Sequence, residues 1–421
     1  MSNLLWLSNT IDAAQAWDYY DGKHRKMLKV KRGIDDNLTV NLIRLAIDKT
    51  TAYLFGKGVQ FKTGDETQDA WLAEVWAQNK RALFLQQLGV TGAVVGHCFI
   101  KIAPRENAAP RLTLLDPMIV KVGIEPDDYQ TVNGYELTWQ SKDERGDAVT
   151  RIQTIERASD AAWTITDKQQ RGNAPATVLN QVVWAYPFAP ILSGQNLPRA
   201  HQFFGQSDVA QLFALQDVVN FTASNIGKIL RLHAHPKTIG TGFATKQLDT
   251  SPDEMLVLPS ADAKVFNLEM QSDLASSIAF YGKLLEAWHE LARIPAVSTG
   301  TLSDVGALSG TALRILYEPL LELVESKQQT YGDLLRDVNR ALLAIGLGGD
   351  YASYQVDVKF PELLPRNAKE ETETALLKQQ VGVSTPTLLG ELGYNAETEL
   401  AQSEATSADA AAQMLTALER R

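Results

Sequence analysis

GQSDVAQLFALQDVVNFTASNIGKILRLHAHP, from Gly205 to Pro236, reads as one long helix that Ser207 caps, with Asp208 just inside facing the positive helix end. Pro236 stops it. Val209, Leu212, Phe213, Leu215, Val218, Val219, Ile226, Ile229 and Leu230 recur mostly at spacings of three and four, so one stripe is buried. The rest of the surface is Gln, Asn, Ser, Thr and Lys. At the standard rise, a helix of about 26 residues is about 40 Å long. From here to Gly310 the chain reads as insert, second helix and a glycine-punctuated loop, the plan of a hairpin that lines something.

Outward from the hairpin the texture changes. Up to about Gly96 the chain reads as helical, in two stretches: Asn37 to Gly56, and Trp71 to Val95. Between His97 and Phe188 the period shortens to two in CFIKIA, RLTLLDP, IVKVGIEP, GYELTWQS, TRIQTIER, AWTITDK and VVWAYPF, which predicts an antiparallel sheet region. Ser309 to Ile345 reads as a helix that Pro319 should kink. YQVDVKFPELLP is one returning strand. The acidic tail from Asn367 reads as small helices. The fold class is therefore α+β.

Composition bounds the function. The 421 residues are 45% hydrophobic and 21% charged, enough for several domains with a sizeable core. A single cysteine, Cys98, leaves no internal disulfide framework and fits a reducing compartment. The start MSNLLWLSN lacks the basic region of a signal peptide, and no apolar window reaches the 18 or so residues of a membrane span, so a soluble protein is expected. The net charge of −10 argues against a broad nucleic-acid grip.

Catalytic motifs are missing, and no cofactor is expected. The Gly-Lys pairs at Gly56, Gly227 and Gly282 lack the phosphate-loop context. His289-Glu290-Leu291-Ala292-Arg293 puts Arg where a zinc motif needs its second His. His233 and His235 have no carboxylate or thiol company. Ser207 lacks the second glycine of a nucleophile elbow, and Cys98, in a strand, reads as a small core residue. The clearest charged cluster is Lys23, His24, Arg25, Lys26, Lys29, Lys31 and Arg32, which reads as a solvated face, a subunit contact or a contact with a phosphate backbone.

YYDGKHRKML, NLTVNLIRLAIDKTTAYLFGKGVQF, VTGAVVGHCFIKIAP, LTLLDPMIVKV, GQSDVAQLFALQDVVNFTASNI and LSGTALRILYEPLLELV follow one another over about residues 19 to 345. In order and spacing they resemble the portal proteins of long-tailed double-stranded DNA bacteriophages. That resemblance implies a head-to-tail connector: a ring of about twelve subunits at one capsid vertex, through which the genome is packaged and ejected. It implies an N-terminal wing over 1–204, stem helices over 205–232 and 273–293, and a clip over 233–272. A tunnel loop over 294–308, a wing return over 309–364 with the long kinked helix, and a short crown over 365–421 complete the subunit. It implies as partners double-stranded DNA, the terminase large subunit, head-tail adaptors, and major capsid and scaffold proteins, with no membrane. The protein would sit in the virion, and in host cytoplasm during assembly.

On this reading Val297, Ser298, Thr299, Thr301, Leu302, Ser303, Asp304 and Val305 are tunnel-loop residues that touch DNA. Lys237, Thr241, Phe243, Lys246, Asp253 and Glu254 are clip residues for partner docking. Lys23, Arg25, Lys26, Lys29, Lys31 and Arg32 are candidate contacts with DNA or a neighbouring subunit. The clip pieces KTIGTG, EMLVLP and KVFNLE, too short to stand alone, are expected to pair between subunits. An acidic channel wall repels phosphates and lets DNA slide, whereas a basic one would hold it. Two other classes stay open: a tail or baseplate structural protein, and a capsid-associated hydrolase or nuclease.

Overall fold

The computed structural model describes residues 4–9, 11–30, 33–143, 145–158, 162–234, 237–241, 262, 264–268, 274–296, 310–363 and 368–403. Two units divide it: Met1–Leu302 with Pro319–Pro361, and Ser303–Glu318 with Glu362–Arg421. The first opens with strand β1 (Leu5–Leu7) and helices α1 (Ala13–Tyr20) and α2 (Leu42–Phe55). Asp12 and Asn41 cap these helices by accepting the backbone N–H of Gln15 and Arg44, donors that helix geometry leaves unpaired. Strand β2 (Gln60–Lys62), helix α3 (Glu66–Gln78) and helix α4 (Arg81–Val95) follow.

The single helical stretch expected from Trp71 to Val95 is corrected to two helices. Lys80 lies in the left-handed region at φ 53°, which ends one helix and starts another. The Asn79 side chain fixes the break by donating to Pro110 O and accepting from Leu112 N, both at 2.9 Å. Gly96, at φ 87°, ends α4. A Cβ there would also fall 2.7 Å from Gly205 O, so the position admits only glycine.

Strands β3 (His97–Arg105), β4 (Ala108–Leu115), β5 (Val120–Glu125), β6 (Asp128–Lys142), β7 (Ala148–Arg157), β8 (Trp163–Gln170), β9 (Thr177–Trp184) and β10 (Ile191–Gln195) build two antiparallel sheets. Their orders are β1-β5-β6-β7-β8-β9 and β10-β3-β4. Alternation aims Val122, Tyr135 and Ile155 of the larger sheet at Phe99 and Ile191 of the smaller, around one apolar core. Each such side chain contributes about 1.5–3 kcal/mol on full burial. β3 divides the layers. The residue before Phe99, Cys98, points the other way, to Leu88 of α4.

After a 3-10 turn at Ala210–Leu212 come α5 (Phe213–Ala234), β11 (Lys237–Thr241), β12 (Lys264–Leu268) and α6 (Leu274–Ala292). β11 and β12 pair antiparallel, Lys237 with Leu268 and Thr241 with Lys264. The expected pairing of these pieces is between subunits; the structure pairs these two with each other within one chain. EMLVLP lies outside the described residues. Helix α7 (Gly310–Leu347) runs unbroken through Pro319, where the unit boundary falls. Within the first unit its Asn339 accepts from the buried Trp76 Nε1 at 2.7 Å. β13 (Asp357–Lys359) returns to pair with β2, Val358 opposite Phe61. In the second unit α8 (Ala368–Gln380) and α9 (Thr385–Glu391) are joined by a Lys378–Glu391 ion pair at 2.7 Å over buried Ala375 and Leu388, with a last helical stretch at 396–403.

Candidate functional site

The α5–α6 hairpin grows from a buried polar root. Ser207 and Asp208 do not cap α5, which starts at Phe213. The Ser207 hydroxyl instead donates to Ala93 O at 3.1 Å and accepts Val209 N at 3.2 Å, so the expected N-cap is corrected. Asp208 forms an ion pair with Lys327 of α7, and both side chains are almost wholly buried, at 5% and 1% exposure. Asn196 Nδ2 donates to Asp208 Oδ1 at 2.8 Å, and Asn196 Oδ1 accepts from the Tyr331 hydroxyl at 3.0 Å. Thus β10, the hairpin root and α7 meet in one satisfied network.

The polar stripe of α5 is covered. Gln216, Asn220 and Ser224, spaced by four, are all buried. They hold a strap described over residues 24–30 and 33–40, which among the described residues has no helix and only a single bridge residue, Ile34. Leu38 N donates to Ser224 Oγ at 2.8 Å, Val40 N to Asn220 Oδ1 at 2.9 Å, and Gln216 Nε2 to Val40 O at 2.7 Å. Because the Asn220 oxygen is taken, its Nδ2 is the donor to His24 Nδ1 at 2.8 Å, and His24 Nε2 is the N–H that reaches Tyr19 O. Arg231 grips Asp36 through both Nε and an Nη, at 3.0 and 2.8 Å.

Where α6 returns to the root end of the hairpin, the chain is tied off differently. α6 ends with Arg293 at φ 56°, Ile294 N donating to His289 O at 3.1 Å and Arg293 N to Glu290 O at 3.2 Å. This is a Schellman-type stop with buried Ile294 as its apolar contact. His289, the first position of the failed zinc pattern, donates Nδ1–H to Ile294 O at 2.9 Å. Elsewhere the hairpin leaves Val218, Phe221, Ile278, Phe280 and Leu291 exposed.

Of the basic run, Lys23 lies 3.3 Å from both Asp18 and Asp21, and Lys26 lies 2.5 Å from Asp35, whose carboxyl is pushed down to about 2 by those hydrogen bonds. Arg25 and Lys29 have no ion pair among the described residues. The structure thus interleaves the cations with acids, a pairing that a count of Lys and Arg does not reveal. Lys31 and Arg32 lie outside the described residues, as do Val297 to Val305, Phe243, Lys246, Asp253 and Glu254. Lys237 and Thr241 stand at the two ends of β11, opposite Leu268 and Lys264. Cys98 is buried, its thiol pushed up to about 12 by desolvation. Among the described residues no three His, Cys, Asp or Glu gather as a metal site, and no helix is long and apolar enough to cross a membrane.

Sequence missed the root and the strap. Their partners lie 119 and about 180 residues away, and only the i, i+4 spacing of Gln216, Asn220 and Ser224 hinted at a shared contact.

The sequence profile described as "Phage portal protein, SPP1 Gp6-like" matches residues 8–413. Among curated proteins no sequence matches the chain. The fold is similar to a chain of "Virion of native gene transfer agent (GTA) particle" at TM-score 0.55 and 15% identity, over 94% of this chain and 96% of that one. It is also similar to chains of "Neck of empty GTA particle computed with C6 symmetry" at TM-score 0.55 and "Neck of native GTA particle computed with C12 symmetry" at 0.54. Both are 14% identical and cover 93% of this chain and 95% of the other.

Proposed function

The chain belongs to the family described as phage portal protein, SPP1 Gp6-like, and from that premise we propose that it forms a ring of about twelve copies at one capsid vertex. Double-stranded DNA is packaged and ejected through the ring. The observation that carries this reading is the family match over 8–413. The hairpin supports it: two helices rooted in a rigid network, with bare apolar side chains available to neighbours, suit a channel wall closed by heterologous contacts. The net charge of −10 per subunit suits a wall along which phosphates slide.

In this assignment α5 and α6 are the stem. The β11–β12 ribbon belongs to the clip, which docks the terminase large subunit and then the head-tail adaptors. Val297 to Val305 form the tunnel loop, which brushes the duplex by van der Waals contact, since Asp304 is its only charge. The pairing of Lys23 and Lys26 with acids of their own chain favours an architectural part for them, and leaves Arg25 and Lys29 for a neighbouring wing or DNA.

Electron microscopy of the purified protein tests the ring: annular particles with a central hole are expected, and a population without a hole refutes the assignment. Replacing Val297 and Leu302 by Lys tests the loop. New phosphate contacts should slow packaging while rings form normally, and unchanged packaging would remove 297–305 from the channel.

A further inference from the structure

We infer that β9 is completed in the assembly by β1 of a neighbouring copy, so that the six-stranded sheet of one subunit continues into the next. The inference rests on the ring reading above and names a contact within it. Thr177–Trp184 is TVLNQVVW, eight residues without a charge or a proline. β9 pairs with β8 on one side and, among the described residues, with nothing on the other. Val178, Leu179, Val182 and Val183 are 55%, 50%, 50% and 66% exposed. Successive side chains in a strand take opposite faces, so Val182 and Val183 leave both faces bare. Natural edges are usually blunted by charge, proline, bulge or shortness. Here the one irregularity, at Asp167/Lys168 in the β8–β9 pairing, leaves Asn180 to Trp184 in regular register.

The opposite edge of the same sheet is β1, also uncharged, with Leu5 and Trp6 exposed. Direction fits. All five pairings in the sheet are antiparallel, so its two edge strands run in opposite senses. A head-to-tail neighbour therefore presents β1 antiparallel to β9, the pairing the sheet already uses throughout. The faces fit as well. Cross-strand register places Leu7 on the face of Tyr135, Ile155 and Val182, and Trp6 on the face of Gly134, Glu156 and Val183. An added β1 thus extends both rows, apolar residue against apolar residue.

A second copy is the fitting occupant because it comes in the same number as the open edges. A heterologous contact repeated to closure covers every one of them.

Cysteine pairs test the inference, because a disulfide needs Cβ atoms within about 4.5 Å and so reads the face directly. The face-matched pairs are Trp6→Cys with Val183→Cys, Trp6→Cys with Gln181→Cys, and Leu5→Cys with Val182→Cys. The mismatched pair is Trp6→Cys with Val182→Cys, and each single variant controls for the buried Cys98. On oxidation of the assembled full-length protein, at least one matched pair should give a reducible ladder of covalent oligomers, and the mismatched pair none. Rings in the microscope with no ladder from any matched pair would overturn the contact while leaving the ring reading intact. Unmutated protein that forms no rings would overturn the ring reading and this contact with it. As a second readout, Val183→Lys should reduce ring yield several-fold while the free subunit keeps its circular dichroism and melting temperature. Unaffected rings would refute the contact. So would amide protection of 177–184 that appears only when a different virion protein is added, since the occupant would then not be a second copy.

Discussion

Two residues of β3, one step apart, face environments of opposite chemistry. Cys98 looks toward the helices, where the neighbouring groups are Tyr331, Asn196, Asp208 and Lys327, joined by directed hydrogen bonds and an ion pair. His97 looks into the sandwich, where Phe99, Phe203 and Phe204 surround it with ring centroids at 4.8, 4.9 and 5.3 Å and neither imidazole nitrogen has a partner. The polar side specifies geometry, because each donor has one acceptor at a fixed place. The aromatic side supplies burial with little direction. The two should therefore fail in different ways: the first when one partner is removed, the second when a charge is created.

The largest effect is expected on the polar side. Lys327→Ala strands the Asp208 carboxylate in a dry site, and breaking one partner of a buried pair typically costs about 3–5 kcal/mol. The double variant Asp208→Leu with Lys327→Met should recover most of that loss, because the desolvation of both charges disappears together. Denaturant unfolding of the three proteins measures it. A cost below about 1 kcal/mol for Lys327→Ala would mean that Asp208 finds water, and the contrast between the two faces would collapse.

On the aromatic side the lever is pH. Burial pushes the His97 pKa down to about 3, whereas the unfolded chain titrates near the ordinary ~6.5. Between those values the unfolded state binds a proton that the folded state refuses. Stability is therefore lost as pH falls through that window, by at most about 1.4 kcal/mol per pH unit, and His97 has no such effect above it. From pH 7 to 5 His97→Phe should lose about 2 kcal/mol less than the parent protein. The slope is the readout, since the larger ring also changes packing. Parallel pH profiles would show that His97 finds a partner or water on folding.

This contrast explains what could be read from the chain beforehand. The strands between His97 and Phe188 and the long helix of α7 rest on local periodicity, so they were legible almost to their ends. β1 and β10 were not, being only three and five residues long, too short to show a period. The break at Lys80 carries neither Gly nor Pro, and only its contacts with Pro110 and Leu112 explain it. Ser207-Asp208 has the composition of a helix cap, yet both side chains are committed to partners more than a hundred residues away. The polar stripe of α5 looked like open surface for the same reason: Gln, Asn and Ser do not announce that a strap will cover them. Buried polar contacts between distant segments leave almost no periodic trace, and here they hold the root of the candidate channel wall.

The smallest effect comes from the second helix of the hairpin, where it returns to the root, and sharpens the comparison in the opposite direction. Arg293 adopts φ 56° so that Ile294 N and Arg293 N can close the last turn of α6 on His289 and Glu290. A residue with a Cβ carries about 1–2 kcal/mol of strain there, and glycine carries none. Glycine also gains freedom in the unfolded chain, which offsets part of the benefit. Arg293→Gly should therefore stabilise by at most about 1 kcal/mol, a shift visible in the denaturation midpoint with an unchanged slope. The Arg293 side chain is exposed and sits one turn from the segment assigned to the channel. If the variant is stabler as a subunit but packages DNA less well, the strained arginine is kept for its side chain. If it is less stable, the turn is held by contacts of the guanidinium, and the end of α6, like the root beside it, is fixed by directed polar bonds.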